Sequence, residues 1–133
     1  MANALYPLYK QALLGSAANS SMSAGTVNVA LVDTGVYTYS AAHEFLSSLT
    51  GRIGTDQTLG TKTITTGIFD SANPTWTAVT GATVEALVIY IDTGVAGTSR
   101  LIAYIDTGQT GLPVTPNGGD ITFTVAVAGW FTL

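Results

Sequence analysis

The chain has 133 residues, 47% hydrophobic but only 9% charged, against about a quarter charged in an ordinary globular domain. Four scattered cations (Lys10, Arg52, Lys62, Arg100) against eight acids give a net charge of −4, a weak basis for holding nucleic acid through its phosphates. With no cysteine and a single His43, disulfides, thiolate metal sites and a histidine-rich metal site within one chain are excluded, and no cofactor is expected.

Residues 3–14 place Leu5, Leu8, Tyr9, Ala12 and Leu13 at spacings of three and four, predicting a short amphipathic helix with Pro7 in its first turn and Gly15 as its stop. The following SAANSSMSAGT is small and polar, so residues 1–25 read as a helical arm and linker preceding a β domain over 26–133. Thr26 to Val32 alternates into Asp33-Thr34-Gly35, a strand ending in a turn. Ser40 is positioned to cap a helical segment from Ala41 to Ser48, with Glu44 near its start. Residues 51–60 read as loop.

The second half is rich in strand signals: Lys62–Thr66, Thr75–Val79, Val84–Asp92, Arg100–Asp106, Ile121–Ala126 and Trp130–Leu133. Residues 84–92 and 100–106 form a predicted hairpin, and Pro113 to Gly119 marks a turn. Short strands with regular turn signals predict an all-β antiparallel sandwich or barrel-like single domain with one short N-terminal helix. No apolar run approaches the roughly 18 residues of a membrane span. The first residues lack a basic segment before their apolar stretch, so no secretory signal is expected, and Asn19-Ser20-Ser21 has no expected route to glycosylation.

Asp-Thr-Gly occurs at 33–35, 92–94 and 106–108, each after an apolar residue, as in aspartic proteases. That chemistry needs two carboxylates sharing a proton. The residues after glycine, Val36, Val95 and Gln109, do not follow the protease pattern, and Asp followed by Gly ends strands for reasons of turn chemistry alone. Asp33, Asp92, Asp106 and Asp120 lack the concentrated spacing of a calcium loop. His43 and Glu44 are adjacent, which on a helix does not make a dyad, and no Gly-x-Ser-x-Gly string is present. A non-enzymatic role is therefore expected. An exterior so poor in charge suits burial against other protein, because neutral groups cost less to desolvate than ions. The interface anchors expected on that ground are Leu5, Leu8, Tyr9, Leu13, Tyr37, Tyr39, Trp130 and Phe131.

Several strings are more specific than the composition. Met1-Ala2-Asn3-Ala4-Leu5-Tyr6, Val27-Asn28-Val29-Ala30-Leu31-Val32-Asp33-Thr34, His43-Glu44-Phe45-Leu46-Ser47, Glu85 to Tyr90, Thr98 to Asp106, and Thr110 to Ile121 together resemble a family of small tailed-bacteriophage virion proteins. The resemblance spans nearly the whole chain and weakens at Val125–Gly129, where the family pattern is more polar. It implies a capsid decoration, or cement, protein on the outer surface of the head. The implied partners are the major capsid protein and further copies of the chain, expected as a trimer, with neither nucleic acid nor membrane. The alternative within the same resemblance is a tail or head–tail connector component. It implies no catalytic residue.

Overall fold

A computed structural model describes residues 3–133 and shows an all-β, sandwich-like antiparallel domain with one short α-helix. The core is a five-stranded sheet. Its strands are β1 (Ala4–Leu5), β2 (Thr26–Val32), β3 (Arg52–Thr58), β7 (Ala86–Asp92) and β8 (Arg100–Ile105), in the order β1-β8-β7-β2-β3. A three-stranded sheet holds β4 (Thr63–Thr65), β5 (Ile68–Asp70) and β10 (Phe131–Thr132), with β5 central. Strands β6 (Thr75–Trp76) and β9 (Ile121–Thr122) pair separately.

The three inner strands of the large sheet are apolar at nearly every position. In β2 and β7 the residues Val27, Val29 and Leu31 stand across from Ile91, Ile89 and Leu87 on one face. Ala30 and Val32 stand across from Val88 and Ala86 on the other, and all ten are buried. Such runs lack polar alternation because neither face meets water, and burying each large aliphatic side chain is worth about 1.5–3 kcal/mol. The predicted hairpin is present: β7 and β8 pair from Leu87↔Ile105 to Ile91↔Arg100, with an irregularity at Ile89/Tyr90.

Four expectations are corrected. The N-terminal segment is not one helix from residue 3. Ala4–Leu5 pairs with Tyr104 and Ala103 as an edge strand, and Tyr6 donates its N–H to the Ile102 carbonyl at 2.9 Å. Helix α1 then runs Pro7–Leu14, with Pro7 opening it, where its missing N–H is harmless. Tyr6 is wholly buried and Asn3 hydrogen-bonds the backbone at 106 and 107, so this segment is built into the β domain rather than hung from it. The expected helix over 41–48 is instead an extended stretch with a 3₁₀ turn at Leu46–Ser48. Ser40 Oγ does accept the Ala42 N–H. The chain beyond is drawn along β8, where Leu101 donates to the Glu44 carbonyl and Leu46 to the Ser99 carbonyl.

Residues 52–58, read as loop, form edge strand β3. Its register against β2 shifts between Val29 and Leu31, where Gly54 has positive φ, so the apolar rhythm that reveals a strand is broken. The Ile121–Ala126 alternation yields only two ladder residues. Phe123, Thr124, Val125 and Ala126 donate instead to Pro74, Thr110, Asn73 and Gln109. Thr66 and Gly67, both at positive φ, close the β4–β5 hairpin in two residues, the geometry favoured by strand twist.

If Tyr6 is core rather than arm, replacing it must unfold the domain rather than release a tail. Tyr6→Ala is expected to cost about 3–5 kcal/mol, as for other large buried aromatics, whereas Tyr6→Phe costs about 1 kcal/mol for the lost hydrogen bond. Urea denaturation of the two variants measures both. An alanine variant as stable as the natural chain would return the segment to the status of an arm.

Candidate functional site

Two concave surfaces stand out. The first is an apolar groove of about 450 Å³ between α1, the loop after it, and the β4–β5–β10 sheet. Tyr9 and Leu13 form one wall; Ile64, Phe69, Phe131 and Leu133 form the other, with Met22 and several serines between. The Phe69 and Phe131 rings stack with centroids 5.5 Å apart. Ile64 is 53% exposed and Leu133 64% exposed, so the groove presents aliphatic side chains to its surroundings. No Asp, Glu, Lys, Arg or His lines it. The chemistry it offers is non-polar contact, with serine hydroxyls between the apolar walls.

The second is a cleft of about 490 Å³ beside the end of β8, lined by Thr34, Tyr37, Tyr39, Glu85, Tyr104 and Asp106 among others. Here tyrosines cover the sheet face that carries Tyr104. Tyr39 lies 5.1 Å from Tyr6 and 5.5 Å from Tyr104, centroid to centroid. The Tyr37 hydroxyl is hydrogen-bonded to both the Tyr6 hydroxyl and His43 Nδ1, each at 2.8 Å. Burial pushes the Tyr6 hydroxyl far above its ordinary pKa, and its bond to Tyr37 adds to the shift. Burial likewise raises Tyr37 and Tyr39, and raises Tyr9 to about 12. Tyr104 is raised first by burial, then by the negative field of Asp106, with smaller contributions from Tyr37 and Glu85.

The expected anchors divide between these places. Tyr9, Leu13 and Phe131 converge on the groove, and Tyr37 and Tyr39 on the cleft. Tyr9, Tyr37 and Trp130 are buried within the chain itself, so their surface is already spent on its own core. Trp130 donates its indole N–H to Ser71 Oγ at 2.8 Å. Leu5 is half-buried in the edge strand, and Leu8 lies apart, near Glu44 and Arg100. Sequence reading missed Met22, Ile64, Phe69 and Leu133 in the groove, and Glu85, Tyr104 and Asp106 in the cleft. The Thr66-Gly67 turn flanked by Ile64 and Phe69 was an available signal for the groove.

Two of the three Asp-Thr-Gly triplets show the expected turn chemistry. Asp33 accepts the Gly35 N–H at 2.8 Å and Asp92 the Gly94 N–H at 2.9 Å. Asp92 sits across from Thr26 at the opposite end of the sheet from Asp33 and Asp106. His43 and Glu44 turn to different partners, Tyr37 and Arg100. Among the described residues, no three His, Cys, Asp or Glu side chains are grouped to hold a metal ion, and no helix is long and apolar enough to cross a membrane. No known protein family matches the sequence, and no curated protein is significantly similar to it.

The raised tyrosines set the alkaline limit of the fold. An unfolded chain releases these protons near pH 10, whereas the folded chain holds them to higher pH. Their contribution to stability is therefore complete below about pH 10 and is lost as pH rises toward and through about 12, the folded value at Tyr9. Urea midpoints taken from neutral to strongly alkaline pH should fall only beyond about pH 10, together with a delayed, cooperative rise in phenolate absorbance. A gradual rise beginning at the ordinary tyrosine value, with no loss of stability, would contradict the burial described here.

Proposed function

We propose that this chain is a non-enzymatic virion structural protein of a tailed phage, a capsid decoration protein that binds the outer surface of the assembled head. The observation that carries the reading is an exterior with few charges that holds a groove lined by no charged side chain and flanked by exposed Ile64 and Leu133. Exposed aliphatic groups gathered in one concavity mark a protein-contact surface more often than a solvent-facing one. The resemblance of the sequence strings to small tailed-phage virion proteins supports the phage setting and the head shell as the partner.

On this reading the groove receives apolar side chains of the major capsid protein, and attachment stabilises the shell because only the assembled state offers the site. The same surface chemistry suits contacts between copies, expected as trimers around local symmetry axes. Nucleic acid and membrane have no place in it.

The test combines location with a groove variant. Immuno-electron microscopy of virions should label the head surface. Ile64→Lys, at an already half-exposed position, should change stability by less than about 0.5 kcal/mol. It should nevertheless weaken binding to shells lacking the protein about tenfold or more, by placing a charge where apolar contact is needed. Labelling confined to the tail would favour the connector alternative. A lysine variant that binds shells as well as the natural chain would remove the groove from the reading.

A further inference from the structure

We propose that β4 is a self-pairing edge, and that a second copy of this chain joins its own β4 to it, antiparallel about a two-fold axis at Ile64. The pairing is a property of the chain alone and does not rest on the virion reading.

Sheet edges invite pairing because their outward N–H and C=O groups lack partners, and folds defend them with charge, proline, bulges or very short strands. Strand β3, at the edge of the large sheet, carries Arg52 and Asp56 and a register shift against β2. Strands β1, β6, β9 and β10 are two residues long. Strand β4 reads Thr63-Ile64-Thr65, without charge or proline, and pairs with β5 in unbroken register. All three residues are exposed. The neighbouring cation gives no defence, since Lys62 Nζ is held by the Met22 and Gly25 carbonyls.

The register decides which groups face outward. Thr65 and Ile68 flank the two-residue turn and form a hydrogen-bonded pair, so Ile64↔Phe69 is the non-hydrogen-bonded pair that follows. The Phe69 carbonyl agrees, because it is turned to the other side, where it accepts the Trp130 N–H at 2.8 Å. Ile64 therefore points both its N–H and its C=O away from β5. Outside the ladder no described residue bonds either group.

The edge itself selects the occupant. Thr-Ile-Thr reads the same in both directions, so two antiparallel copies centred on Ile64 set Ile64 across from Ile64 and Thr63 across from Thr65. The two isoleucines then exchange both N–H···O=C bonds, and such a self-complementary contact closes as a dimer. With Lys62 held elsewhere, no like charges meet across the axis. Ile64, Phe69 and Phe131 already stand in one cross-strand row on the groove side of the small sheet. Pairing continues that row into its mate and covers the exposed Ile64 side chain with an apolar equal. A strand bearing a charge at this position would have to dehydrate it against an uncharged row.

The chain has no cysteine, so one introduced thiol reports on one contact. Ile64→Cys places two thiols where the Cα atoms of a hydrogen-bonded antiparallel pair lie about 5.5 Å apart, within disulfide reach. Val95→Cys, exposed in the β7–β8 loop, is the control. Under mild oxidation of the full chain, Ile64→Cys should become a covalent dimer at least about tenfold faster than Val95→Cys, as expected of thiols held at raised effective concentration. Light scattering of the natural chain should show a mass that rises with concentration toward two chains. Ile64→Pro, which removes only an outward N–H and leaves the β4–β5 ladder intact, should show no rise. Equal cross-linking of the two cysteine variants, a natural chain whose mass does not rise or rises toward three chains, or a folded proline variant that associates like the natural chain would overturn the proposal. If circular dichroism shows the proline variant unfolded, the cysteine comparison and the natural chain's mass decide. Dimers of a chain that ignores capsid shells would retain this edge and reject the virion reading, and shell binding by a chain that never pairs would do the reverse.

Discussion

The structure depends on one constraint: the inner strands β2, β7 and β8 carry apolar side chains on both faces, so neither face of the sheet can be left to water. In a common antiparallel sheet one face is polar and solvated. Here Ala30, Val32, Val88 and Ala86 are as buried as Val29, Leu31, Ile89 and Leu87 on the opposite face. Everything else in the chain follows as cover. Helix α1 packs against β8 and strand β6 against β3, and Tyr37, Leu46, Leu49, Phe69, Ile121 and Trp130 of the remaining segments join the same core. Their ladders are short because their task is to exclude water, not to extend pairing. Trp76 against Phe123, edge to face at 5.5 Å, is the same solution at one more place.

A sheet this apolar must still admit the polar groups its edges bring in, and it does so where partners can be supplied. Asn28, on inner strand β2, accepts from Thr58 on β3 and donates to Asp92 and the Tyr90 hydroxyl. Tyr90 in turn donates to Asp56, which also holds Arg52. Burial and these neighbouring acids push the Tyr90 hydroxyl well above its ordinary range, keeping it a donor. At the other edge Arg100 is buried, lies 5.1 Å over the Phe45 ring, and reaches Glu44 and the Ala18 carbonyl. Removing one partner from such a set costs more than the bond itself, since the remaining group stays dehydrated. These sets therefore fix which loop lies over which strand.

Where side-chain rhythm and burial coincide, the fold was readable. The β7–β8 hairpin, strand β2 and the turn at Asp33-Thr34-Gly35 rest on local pattern, and the structure places them where the pattern does. Strand β3 was not readable because a register shift at Gly54 and a sequence of Thr, Asp and Gln hide an edge strand inside a loop composition. The 41–48 segment misled for the opposite reason. Its helical signals are local, whereas its hydrogen bonds to Ser99 and Leu101 are supplied by a strand fifty residues on. Leu5 fits a helical stripe by spacing yet belongs to a strand, since Pro7 begins the helix after it. The candidate surfaces were half-readable. Tyr9, Leu13, Phe131 and Tyr39 were singled out as large side chains in a charge-poor chain, but nothing local joins Ile64 to Leu133 or Glu85 to Asp106.

The scarcity of charge takes on a sharper meaning once the partners are known. Of the four cations, Arg100 is buried, Arg52 is held by Asp56, and Lys62 Nζ donates to the Met22 and Gly25 carbonyls. Arg100 and Lys62 thus tie loops to the core, while Arg52 stays exposed and pairs along its own strand. The acids behave alike, most of them closing turns or pairing with those cations. What remains to face the surroundings is largely hydroxyl, amide and methyl. That exterior can be dehydrated at low cost, because a neutral hydroxyl finds a new partner at a protein surface more readily than a stranded ion does. A chain with so few charges keeps little electrostatic repulsion between copies of itself. The pairing of charge that pins its loops and turns is thus also what leaves its exterior mostly neutral.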